Sequence, residues 1–68
     1  MANNTEKTLV NAICSGNIKY IENTKPSKLN TVMKNGYSPL GLAISEDQWD
    51  IVEFLRNNGV TLDVRPDE

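Results

Sequence analysis

The apolar triplet Leu9, Ala12 and Ile13 recurs 31 residues later as Leu40, Ala43 and Ile44. Each triplet falls at i, i+3 and i+4, which is one face of an α-helix. A second apolar group follows each after a short polar break: Ile18 and Ile21 in the first half, Ile51, Val52 and Leu55 in the second. One pattern written twice in 68 residues leaves little choice of architecture. The chain is expected to form two like helical hairpins that bury their apolar faces against each other. A chain this short buries only about 60% of the surface its unfolded form exposes, so its margin of stability is thin.

The second copy, residues 35–59, carries the clearer local signals. Asn35-Gly36 is a turn dipeptide, since both residues tolerate positive φ. Ser38 is placed to cap the next helix through its hydroxyl, and Pro39 suits the first helical position, where no amide hydrogen is needed. Asp47 is expected to cap the following helix, with Asp50 in a capping-box-like position. Ile51, Val52 and Leu55 form that helix's buried stripe, with Phe54 beside it. Gly59 stands where a left-handed residue closes a helix.

This stretch resembles an ankyrin repeat, whose pattern is roughly Gly-x-Thr-Pro-Leu-His-x-Ala, a short turn, Ile-Val-x-x-Leu-Leu, then Gly-Ala. The corresponding residues are Gly36-Tyr37-Ser38-Pro39-Leu40-Gly41-Leu42-Ala43, then Ile51-Val52-Glu53-Phe54-Leu55, then Gly59-Val60. Two departures mark the copy as divergent. Gly41 replaces the family's His, which normally bonds the Thr hydroxyl, and a helical Gly costs roughly 1 kcal/mol relative to Ala. Asp47 replaces the Gly usual between the two helices. The resemblance implies an all-α fold of two stacked ankyrin-type repeats joined by a short β-turn connection. Repeat 1 covers about 5–34, repeat 2 about 35–63, and a polar tail follows at 64–68.

The first copy is degenerate. Asn4 or Thr5 is expected to cap its first helix, which runs to about Cys14. Ser15-Gly16-Asn17 forms the turn, and Asn17 caps a second helix that cannot run far past Thr24, because Pro26 disfavours helix at Lys25. The spacing of 31 falls short of the family period of 33, and the deficit lies between Glu22 and Leu29. Leu29-Asn30 and Leu62 then stand at the family's hairpin positions. Three or more such repeats are usually needed for independent stability. Trp49 and Phe54 interrupt an otherwise polar outer surface at Gln48, Asp50, Glu53, Arg56 and Asn57.

Little in the chain points to catalysis. It contains no His and a single Cys, which removes the commonest general base and makes a zinc site or thiolate nucleophile a poor reading. Ser15, Ser27, Ser38 and Ser45 have no triad partners. The acidic group Glu46, Asp47, Asp50 and Glu53 is explained by a solvated helix start favoured by the helix dipole. All four glycines have places in the repeat, so none is left for a phosphate loop. No cofactor or metal is expected. The lone Cys14 fits a reducing, cytoplasmic compartment of the source cell, or of a host cell. No apolar run reaches the roughly 20 residues of a membrane span.

Charge divides between the halves, +3 over residues 1–34 and −5 over 35–68. Two solvated surfaces account for this, although such asymmetry can also orient a partner. Nucleic-acid binding is not supported, because Lys19, Lys25, Lys28 and Lys34 are scattered without interleaved aromatics. Recognition of another protein remains, with an inhibitor, immunity protein or small adaptor as the expected type. The resemblance places partner contacts at the turn (Val32, Lys34, Asn35 and Tyr37) and at the helix end (Ser45 and Glu46). Cys14 and Ser15 are their first-copy equivalents. Trp49 is a further candidate, either as an anchor on an outer face or as packing between the second helices. Two alternatives stand beside this reading: self-assembly of incomplete stacks into homo-oligomers, and an acidic decoy that mimics DNA.

Overall fold

The computed structural model describes residues 4–66, with side chains from Glu6 onward. The cap expected at Asn4 or Thr5 and the last two tail residues therefore lie outside the side chains described. Five helices follow in order: α1 (Asn4–Ser15), α2 (Ile18–Glu22), α3 (Pro26–Leu29), α4 (Pro39–Ser45) and α5 (Trp49–Asn57). The described residues contain no strand. Helices α1 and α2 form one hairpin, and α4 and α5 form the other. Between the hairpins, α1 packs on α4 and α2 packs on α5.

The repetition extends to individual hydrogen bonds. In the first hairpin turn, the amide of Gly16 donates to Ile13 (3.2 Å) and that of Asn17 to Ala12 (2.8 Å). In the second, Asp47 donates to Ile44 (3.1 Å) and Gln48 to Ala43 (2.9 Å), the same bonds 31 residues on. At the end of α5, Gly59 donates to Arg56 (3.1 Å) and Val60 to Leu55 (3.0 Å). All three are Schellman closures, which need a left-handed residue just past the helix. Gly16 (φ 78°), Asp47 (φ 58°) and Gly59 (φ 83°) supply it.

Asp47 is thus not the cap of α5. It takes the glycine-like turn position, and Gln48 is the N-cap residue, without a side-chain bond to its own helix. The Gln48 side chain instead donates from Nε2 to the Cys14 carbonyl (3.1 Å), satisfying an acceptor at the end of α1. Its first-copy counterpart, Asn17, does cap locally, accepting from the Tyr20 amide (3.3 Å). Asn35-Gly36 lies in a turn, as expected. Only Gly36 of the turn dipeptide takes positive φ (89°), while the Asn35 side chain accepts from the Tyr37 amide (3.0 Å), an Asx-type turn. Pro26 ends the path of α2 and also opens α3, where its missing amide hydrogen is harmless.

The core is one cluster drawn from both hairpins, including Leu9, Ile13, Ile21, Leu29, Leu40, Leu42, Ile51, Val52, Leu55 and Val60. Equivalent positions differ in burial. Ile13 is buried and Ile44 half-buried, while Asn11 is exposed and Leu42 buried. The pairing of α1 with α4 accounts for this, because Ile13 and Leu42 lie on the faces that meet and Asn11 and Ile44 on the opposite ones. Ser38 caps α4 as expected, its hydroxyl accepting from the Gly41 amide (3.1 Å). The same buried hydroxyl donates to the Leu62 carbonyl (2.7 Å) and accepts from the Val64 amide (2.9 Å). Its single donor and both acceptor sites are filled. The segment after α5 is thereby fastened across the start of α4, and the Leu62 amide completes the attachment by donating to Asn30 Oδ1 (3.1 Å).

Candidate functional site

Four of the seven expected contact residues lie on the connection between α3 and α4. The Met33 amide donates to the Tyr37 carbonyl (2.7 Å) and the Gly36 amide to the Met33 carbonyl (3.0 Å). The Lys34 amide donates to the Glu6 carboxylate (2.6 Å), tying the loop to α1. Val32 is 50% exposed, and Lys34 and Asn35 are exposed as well. Lys34 and Asn35 border a shallow depression of about 330 Å³ completed by Glu6, Lys7 and Val10. Tyr37, expected as an exposed contact, is half-buried and packs on the core. That packing leaves less of its ring available to a partner.

Ser45 and Glu46 are exposed at the other end of α4, roughly 10 Å from its start at the rise of an α-helix. Cys14, their first-copy equivalent, is exposed too. Partial burial, and after it the negative charge of Glu46, push the Cys14 thiol above its ordinary range. The two helix ends therefore form one neighbourhood, and its thiol is less reactive than a free one. Trp49 opens α5 and is 58% exposed; it does not pack between the second helices. The seven residues occupy a hydrogen-bonded loop, a helix end and an exposed aromatic, without converging on one pocket. Among the described residues, no group of three His, Cys, Asp or Glu side chains comes together as metal ligands would. No described helix is long and apolar enough to cross a membrane.

The four acids grouped by sequence are separated by the fold. Glu46 lies beside Cys14, Asp47 sits in the hairpin turn, and Asp50 and Glu53 face a cleft between α2 and α5. Ile18, Glu22, Phe54 and Asn57 line the rest of that cleft, about 380 Å³ in volume. Its α5 side was legible as positions i, i+3, i+4 and i+7 from Asp50. Its α2 side, Ile18 and Glu22, depended on how the two hairpins pack. No family model matches the chain, and no curated protein or solved structure matches it.

Proposed function

We propose that the chain is a short ankyrin-type stack acting as a non-catalytic protein–protein interaction module in a cytoplasmic setting. The observation that carries this reading is the pre-organised loop at residues 33–37. Its backbone is held by four hydrogen bonds, one of them to α1, while Val32, Lys34 and Asn35 keep their side chains in solvent. A loop already held by its own hydrogen bonds loses less conformational entropy on association than a free one. The ankyrin-type assignment is supported by the matching hairpin turns and by the pairing of first helix with first, second with second. With no His in the chain, recognition fits better than turnover. Inhibition or scaffolding of one partner is the proposed activity.

The test is affinity capture from lysate of the source or its host, with the tagged chain beside its Val32→Ser, Lys34→Glu and Glu46→Arg variants. A stoichiometric foreign protein lost in these variants, whose unfolding is unchanged, is the expected result. Capture that is equal in all variants would remove the loop and helix end as the contact surface. Self-assembly is favoured by one observation, the exposure of Trp49 on the last helix. It predicts a Tm that rises with protein concentration, and a constant Tm on dilution would sink it.

A further inference from the structure

We infer that the cleft between α2 and α5 is a docking site for an arginine- or lysine-bearing segment of a partner protein. This rests on the reading of the chain as an interaction module and names a second surface with its occupant. The cleft has an apolar floor, the half-buried Ile18 and Phe54, and an acidic rim, Glu22, Asp50 and Glu53. No Lys or Arg lines it, and none of the three carboxylates is ion-paired among the described residues. Arg56, on the same helix, lines a different depression with Leu40, Val60, Thr61 and Asp63.

Apolar floor and anionic rim together match one kind of side chain. Arginine and lysine lay an apolar stem on apolar surface while presenting a cationic head to carboxylates. Trp49 precedes Glu53 by one helical turn and offers an exposed indole face, which attracts the same cations. The cleft is shallow and open to solvent, about 380 Å³ in volume, so it suits a few side chains of an extended segment and not an enclosed small molecule. A second copy of the chain is the weaker occupant. The residues that would face the cleft from another molecule must bring clustered positive charge, and the chain's lysines are dispersed.

The experiment uses a fluorescein-labelled peptide of alternating arginine and leucine, with glutamate–leucine and arginine–serine counterparts. Anisotropy of the label is followed alongside the emission of Trp49, the chain's single tryptophan. The arginine–leucine peptide is expected to bind most tightly, to shift Trp49 emission to the blue and to weaken as salt is raised. Asp50→Asn with Glu53→Gln should weaken it at least about tenfold, the scale of a lost charge-assisted contact. Asp63→Asn, at a residue that lines the other depression, should leave it unchanged. Equal binding by the glutamate–leucine peptide, or no effect of the double variant, would overturn the proposal. So would Trp49 emission that follows the protein's own concentration and is not displaced by peptide, since a second copy would then hold the surface. If lysate capture through the loop succeeds while the peptide fails, only the cleft proposal falls and the module reading stands.

Discussion

Val64 crosses α4 so closely that a methyl group added at Gly41 would stand inside contact distance of the Val64 carbonyl oxygen. Gly41 has no positive φ to accommodate; it is needed for the space it leaves. In the ankyrin pattern that residues 36–43 resemble, a His fills this position and bonds the neighbouring hydroxyl. Here the Ser38 hydroxyl is bonded to Leu62 and Val64 instead, and the absence of a side chain at 41 lets that segment approach. The helix-propensity penalty at Gly41 is offset by the docking of residues 62–64.

This yields a change of sign. Gly41→Ala in the full chain should lower the thermal midpoint, although alanine favours a helix by about 1 kcal/mol. In a chain ending at Asp63, the same substitution should raise it. Thermal unfolding of the four proteins measures both effects. A Gly41→Ala that stabilises the full chain would contradict the close approach.

Ser38→Ala removes the α4 cap and leaves the Gly41 and Val64 amides and the Leu62 carbonyl without their shared partner. A lost cap alone costs about 1 kcal/mol, and each buried group left unpaired costs about 1–3 kcal/mol. Destabilisation should therefore exceed that of a simple cap deletion, reaching about 2–4 kcal/mol. Urea titration checks this, and amide exchange at Val64 should accelerate in the variant.

Asp47 and Gly16 hold equivalent turns at φ 58° and 78°. An L-residue in this region carries about 1 kcal/mol of strain, somewhat less for Asp. Asp47→Gly should stabilise by up to about 1 kcal/mol. Gly16→Ala should destabilise by about 1–2 kcal/mol, because its added Cβ also meets Gln48 Oε1 at 3.1 Å. Chemical denaturation of the two variants should give opposite signs.

Cys14 tests the neighbourhood of the two helix ends. Its pKa is raised by partial burial and, secondarily, by Glu46, and only the thiolate is alkylated. At mildly alkaline pH less thiolate is present than in a free cysteine, so iodoacetamide should react more slowly. Removing the carboxylate by Glu46→Gln makes the thiolate less unfavourable, so the pH–rate profile should move toward lower pH. Burial remains, and the profile should stop short of that of an unfolded control. A profile unchanged by Glu46→Gln would place the two side chains apart.

The sequence by itself determined what neighbours along the chain can decide. The paired apolar faces, the Ser38 cap, the Pro26 stop and the Gly59 closure each depend on bonds or spacings within about one helical turn, and each stands in the fold. Tertiary structure decided the rest. Asp47 reads as a cap because acids favour helix starts, yet a Schellman closure shared with Gly16 claims it for the turn. Gln48 gives up its own helix for Cys14, 34 residues away, and Leu62 meets Asn30 across 32. The cleft sets Glu22 opposite Asp50 and Glu53 only because α2 packs on α5. Such pairings carry no local period, since their geometry exists only once the two apolar faces have met.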